Sequence, residues 1–345
     1  MSIFSRRDCC KSIIVILLLS CIMICGCVQA NACSSFAVYG DKTYYGMNWD
    51  YYAHYDATIH IQKVNEMKMF VVYDQDGNDF TGMNTKGLFA SKIMEYPAED
   101  FGLFHETGDN KLRRIEMKDV FRKALYNFSS IDEVNDYLKD KRIIYSQTKL
   151  HDMFADMNGH AQIVEVGRDQ NIISPIEEKF LIMSNFTSYY YKGTPYREIN
   201  DKGADRYISG YEYAIHNIGN FDLDNGLQML EAMKCADNSF YTLGSFLFEP
   251  ETNCVYIAVN RDFDKIWKVS VQDETIESYK GFEKPIKIKI DQKIKLSDLR
   301  KLSNNNEKST EKLIMTAMVL SAAFASILFI TGKNRKKINH RVLKS

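Results

Sequence analysis

Cys33 directly follows Ala30-Asn31-Ala32, a small-x-small triplet of the kind a signal peptidase accepts. Cleavage after Ala32 makes Cys33 the first residue of the mature chain, with a thiol and a free α-amine on one residue. Ordinary pKa values are about 7.7–8.0 for the amine and about 8.5 for the thiol, close enough that the amine can take the thiol proton near neutral pH. The residue is then nucleophile and base together. While Ala32 stays attached the nitrogen is an amide and no base, so export processing would unmask the chemistry. A lipoprotein site at Ile24-Cys25-Gly26-Cys27 competes with this reading, although bulky Cys25 fits it poorly.

Other chemistry-bearing residues are less organised. Of eight cysteines, Cys9, Cys10, Cys21, Cys25 and Cys27 lie ahead of the cleavage point. Cys235 and Cys254 either pair outside the cell or are small buried residues. The histidines (His54, His60, His105, His151, His160, His216, His340) lack metal-ligand spacing. Asp74-Gln75-Asp76-Gly77-Asn78 has the flavour of a calcium loop without its closing acid, and predicts a hairpin turn. No phosphate-binding or dinucleotide fingerprint occurs. No metal and no cofactor are therefore expected. The 21 Tyr and 20 Phe come without basic interleaving, which suits core and pocket walls rather than base stacking.

The elements that must position Cys33 follow from pattern. Runs at Cys33–Tyr39 and Lys42–Asn48 around Gly40-Asp41 predict a hairpin, with more strand at Thr58–Val64 and Lys68–Tyr73. Apolar residues from Ile115 to Phe128 recur at helical spacing, and Ser130 with Glu133 forms a capping-box pattern before a second helix. Met153–Met157 and Ala161–Val166 flank Asn158-Gly159, a hairpin signal. Phe180–Ser184 adds a strand. Helical spacing returns at Tyr207, Ile208, Tyr211 and Ile215, then at Leu227, Leu230 and Met233. Strands follow at Ser245–Phe248, Val255–Val259 and Ile266–Val271, and Ile286–Ile290 alternates like an edge strand. Segregated strand and helix blocks predict an α+β fold with antiparallel sheets.

Both ends read as addresses. Arg6, Arg7 and Lys11 precede an apolar run from Ile13, the layout of a signal peptide; Arg6-Arg7 also resembles a twin-arginine motif. Leu313–Ile330 is uncharged and apolar, matching the roughly 17–25 residues of a membrane-spanning helix. A tail with Lys333, Arg335, Lys336, Lys337, Arg341 and Lys344 places its far end in the cytoplasm. The expected organisation is a signal peptide at 1–32, one domain at 33–300, a polar stalk at 301–312, a membrane helix at 313–330 and a basic tail at 331–345. The chain is 345 residues with 44 Lys+Arg against 45 Asp+Glu. Its near-neutrality hides an acidic exported span between two basic ends, which argues against nucleic-acid binding.

Cys33-Ser34-Ser35-Phe36-Ala37 and Tyr45-Gly46-Met47-Asn48-Trp49-Asp50 resemble the opening of the choloylglycine hydrolase and penicillin V acylase family. These are linear-amide hydrolases of the N-terminal-nucleophile superfamily. Asn48-Trp49-Asp50 is also similar to the isopenicillin N acyltransferase group. Gly82 to Leu88 resembles the family's glycine-bracketed segment, and His151 to Glu165 its strand-turn-strand ending in Val-Glu. Ser184-Asn185-Phe186 resembles its central asparagine, and Asp205-Arg206-Tyr207 its Ser-Arg-Phe element. The likeness runs in order from Cys33 to Val271.

The resemblance implies a four-layer αββα sandwich, with Cys33 as nucleophile and Asp50 as the carboxylate holding the α-amine or thiol. It implies Asn185 as donor to the oxyanion and Arg206 as an active-site arginine. Against these roles stand plainer readings: Asp50 as a turn residue, disfavoured because the amine needs a charged partner nearby, Asn185-Phe186-Thr187 as a glycosylation sequon, and Arg206 as a helix-surface arginine. Two departures stand out: Met47 where the bile-salt enzymes have Arg, and Met94 close to a family Asn. They remove a fixed cation and leave a backbone N–H at the second oxyanion position. The resemblance implies a hydrolase of small N-acyl amides, and the two ends of the chain make it a membrane-anchored, extracytoplasmic one. Acyl transfer to an amine and a surface binding domain without turnover are the alternatives, and homo-oligomerisation stays open.

Overall fold

The computed structural model describes residues 33–96, 112–145, 148–237 and 239–305. The expected signal peptide, membrane helix and basic tail lie outside the described residues. So do stalk residues 306–312. Among the described residues no helix is long and apolar enough to cross a membrane.

The chain runs β1 (Ser34–Tyr39), β2 (Thr43–Tyr52), β3 (Thr58–Val64), β4 (Met67–Tyr73), β5 (Asp79–Asn84), β6 (Phe89–Met94) and β7 (Arg113–Glu116). After α1 (Met117–Asn127) and α2 (Ile131–Leu138) come β8 (Lys141–Ile144), β9 (Leu150–Ala155), β10 (Ala161–Val166), β11 (Asn171–Pro175) and β12 (Phe180–Met183). Helices α3 (Ala204–Asn217) and α4 (Leu223–Ala232) precede β13 (Phe240–Glu249), β14 (Cys254–Val259), β15 (Asp262–Ser270), β16 (Thr275–Lys280), β17 (Lys287–Lys289) and β18 (Ile294–Lys295). Residues 296–305 form a last helix, α5.

Two large antiparallel sheets result. One has the order β12-β1-β2-β13-β14-β15-β16-β17, the other β11-β10-β9-β6-β5-β4-β3-β18. Inward residues such as Tyr45, Met47, Phe89, Phe246 and Phe248 make the core between them. Each fully buried Phe there contributes about 1.5–3 kcal/mol of hydrophobic stabilisation. A second core joins β4, β6, β9 and β10 to α1 and α2, and a third joins β1, β2, β12, β13 and β14 to α3 and α4. The layers are therefore helix, sheet, sheet, helix, as an αββα sandwich requires.

Local signals explain much of this. The β1–β2 hairpin pairs Ser34 with Asn48 and Tyr39 with Thr43. At the predicted turn, Asp74 Oδ1 accepts the N–H groups of Asp76 and Asn78 at 2.9 and 2.8 Å, and Gly77 takes φ +85°. Ser130 caps α2 by accepting the Glu133 N–H at 3.3 Å, while the Glu133 carboxylate turns to the N–H of Ser129 rather than Ser130. Lys287–Lys289 is an edge strand with one wet face. Cys235 and Cys254 are both free thiols.

One expectation is refined and one corrected. The apolar spacing that predicts α3 holds for Tyr207, Ile208 and Tyr211, which pack half-buried on the cores, while the fully buried face is Ala204, Arg206, Gly210 and Ala214, and Ile215 is exposed. The helix lies too close to α4 for a large residue: a Cβ on Gly210 would sit 2.6 Å from Met233 Sδ. The stalk does not begin at residue 301. Residues 301–305 continue α5, whose Leu296, Leu299 and Leu302 pack on the inter-sheet core, and Ser303 is buried with its hydroxyl donating to the Leu299 carbonyl at 3.0 Å.

Candidate active site

The β1–β2 pairing brings Cys33 beside the end of β2. The Cys33 thiol points at the Asp50 backbone carbonyl, 3.8 Å away, and packs against the inter-sheet core. Burial, and then the Asp50 charge, push the thiol well above its usual range. With its nitrogen in a peptide bond, Cys33 is thus a neutral thiol.

Asp50 is fully buried. Its Oδ1 accepts the Thr242 hydroxyl at 2.5 Å, whereas Oδ2 has no hydrogen-bond donor. Arg206 Nε stands 3.7 Å from Oδ2, close enough for charge attraction but too far for a hydrogen bond. Burial lifts the carboxyl to about 7, against the downward pull of Arg206 and then of Thr242.

Arg206 also reaches the third residue. Its Nη2 donates to Asn185 Oδ1 at 3.3 Å, and Asn185 Nδ2 donates to the Met94 carbonyl at 2.8 Å. Cys33, Asp50, Arg206 and Asn185 therefore form one contiguous group drawn from the residue just before β1, from β2, from α3 and from the segment after β12. Asn185 is fully buried, so a glycan has no access to its amide, and Arg206 is on the inner face of α3 rather than on its surface. One hydrogen on Asn185 Nδ2 is left for another acceptor, because an amide nitrogen carries two.

The departures have clear places. Met47 fills the inter-sheet core opposite Ser35 and Phe246, where it supplies volume and no charge. Met94 engages the site through its carbonyl. The N–H groups next in the chain are already committed, Glu95 to the Lys149 carbonyl at 3.0 Å and Tyr96 to the Asn185 carbonyl at 2.6 Å.

Residues with no catalytic signal in the sequence hold Asn185 in place. Thr187 donates its hydroxyl to Glu95 Oε1 at 2.6 Å, and Tyr145 donates to Glu95 Oε2 at 2.7 Å. Burial raises the Glu95 carboxyl above its ordinary range. Glu165 accepts the N–H groups of Ser188 and Tyr189 at 2.6 and 3.1 Å, which pins the turn just beyond Asn185. The Val164-Glu165 pair was the one available hint of this buried support. Two cavities of about 440 and 360 Å³ flank it, near Phe186 and near Glu95, and neither is lined by Cys33.

Gly203 gives α3 its approach. It takes φ +85°, and an added Cβ would lie 2.2 Å from Ser184 Oγ and 2.8 Å from Arg206 Nη2. Gly203→Ala is expected to destabilise the fold by about 1–3 kcal/mol, the usual cost of a left-handed backbone for other residues. Urea unfolding measures this, and an unchanged midpoint would refute it.

No family model and no curated protein matches the chain. Solved structures do. A mutant of conjugated bile acid hydrolase from Clostridium perfringens aligns with TM-score 0.54 and 17% identity, over 72% of this chain and 96% of that one. Another variant of that enzyme aligns equally, at 0.54 and 17%, over 72% and 97%. Penicillin V acylase from Agrobacterium tumefaciens aligns with TM-score 0.53 and 12% identity, over 71% and 90%. The likeness read in order from Cys33 to Val271 is thus borne out as a likeness of fold: the chain has the architecture of conjugated bile acid hydrolase and penicillin V acylase.

Proposed function

We propose that the protein is a hydrolase of linear, non-peptide amides that works through Cys33 as an N-terminal nucleophile. It is made as an exported precursor, cut after Ala32 and held at the membrane by Leu313–Ile330, with its domain outside the cytoplasm. The observation that carries this reading is the buried Asp50 Oδ2, which lacks a donor beside a cysteine whose nitrogen is still acylated. Such an oxygen is costly to leave unpaired, and the α-ammonium released by cleavage is a donor of the right charge.

The steps follow from the residues. The free α-amine takes the Cys33 proton, and Asp50 steadies the resulting ammonium. The thiolate sulfur bonds to the amide carbon, and the carbonyl electron pair moves to oxygen. The remaining Asn185 Nδ2–H stabilises that oxyanion. The C–N bond then breaks, and the leaving amine takes the ammonium proton. The product is a thioester on Cys33. The Cys33 α-amine, neutral again, takes a proton from water as the water oxygen attacks the thioester, and the C–S bond breaks with that proton passing to sulfur, which releases the carboxylic acid and the thiol.

Intact mass and N-terminal sequencing of the native protein test the premise. A chain starting at Cys33 is expected. A start at Asn31, or a lipid-modified Cys27 kept on the final product, overturns it.

A further inference from the structure

The partner of Asp50 on β13 is set by an irregularity. Asn48 pairs with Ser245 and Trp49 with Gly244, so unbroken antiparallel pairing would put Leu243 opposite Asp50. A β-bulge between Thr242 and Gly244 shifts the register by one, and Thr242 stands there instead. Leu243 turns into the inter-sheet core. A one-residue shift exchanges the faces of a strand, so the bulge exchanges a leucine for a hydroxyl beside a fully buried carboxylate. Bulges commonly re-aim side chains next to active sites.

That hydroxyl is oriented. The Cys235 N–H donates to Thr242 Oγ1 at 2.9 Å, and the Thr242 N–H donates to the Cys235 carbonyl at 3.2 Å. With a backbone donor on its oxygen, Thr242 directs its single proton to Asp50 Oδ1. Oδ2, which has no donor of its own, is then the more available oxygen for a cation.

We propose that Thr242 is a positioning residue, which occupies Oδ1 of Asp50 and thereby presents Oδ2 to Arg206 and to the α-amine of Cys33. The role rests on the proposed function. The titratable and charged groups facing Asp50 are Cys33 just before β1, Arg206 and Asp205 on α3, and the thiol of Cys235. Of these only Arg206 attracts the carboxylate, so the Thr242 donor is the second support of its charged form.

The sign of the pH effect follows. The Cys33 amine accepts the thiol proton best while Asp50 is ionised, so thiol reactivity falls as pH drops through the Asp50 titration. In the described chain that is about 7, and the added ammonium of the mature chain draws it lower. Removing the Thr242 donor raises the Asp50 pKa and moves the acidic limb to higher pH.

The test measures iodoacetamide labelling of mature wild type, T242V and T242S from about pH 5 to 9, read by peptide mass at Cys33 so that Cys235 is scored separately. A shift of one unit makes T242V about tenfold slower on the limb, with equal rates at the alkaline end, and T242S restores the wild-type profile. T242A is the second hydroxyl-free variant if T242V does not fold. An unshifted limb in a hydroxyl-free variant, or no recovery in T242S, overturns the role of Thr242 alone. A wild-type Cys33 that resists labelling at every pH overturns the nucleophile and this role together.

Discussion

Replacing Cys33 by alanine is expected to lower amide turnover by roughly 10⁴-fold or more, to the background rate. No other described residue offers a thiol and an amine at one point once Ala32 is removed. The fold should survive, because the thiol makes one weak hydrogen bond, to the Asp50 carbonyl at 3.8 Å, and alanine keeps the Cβ at the edge of the core. Thermal unfolding of the variant should therefore resemble that of wild type while hydrolysis vanishes. A panel of N-acyl amino acids, N-acyl lactones and penicillin V provides the assay. Wild-type turnover by the Cys33→Ala variant on any member of that panel removes Cys33 from the mechanism.

Asn185→Ala should cost about 10²–10³-fold in kcat, or about 2.7–4 kcal/mol, with KM little changed. The reason is timing: negative charge appears on the carbonyl oxygen only in the tetrahedral state. Part of the effect has a second source, since Asn185 also braces Arg206 and the Met94 carbonyl. Unfolding measurements separate the two, because a purely structural loss would lower the midpoint and leave kcat of the folded fraction intact. A fall in kcat of less than about tenfold would exclude Asn185 as the oxyanion donor.

Much of the architecture was legible. The β1–β2 and β9–β10 hairpins follow from local alternation and from Gly40-Asp41 and Asn158-Gly159, whose signals need no distant partner. The caps of α2 are equally local. The fully buried face of α3 was less legible than its tyrosines, which pack half-buried, because close approach to Met233 selects the small Gly210 at its centre. The end of the domain was misplaced for a related reason: a polar run at 301–305 hides Leu302, which only the inter-sheet core reveals as an anchor.

By itself the sequence singled out Cys33 as the residue that gains an amine beside its thiol if the chain is cut after Ala32, since that depends only on the residues next to it. It also determined many of the strands, whose alternation is a property of each segment, though not β5–β8, β11, β16 or β18. Only the tertiary structure decided what surrounds Asp50. Thr242 lies 192 positions away, and it faces Asp50 instead of Leu243 because a bulge shifts the β2–β13 register by one residue. Register belongs to a pair of strands and to the cores that each must fill. For that reason it cannot be read from either strand alone.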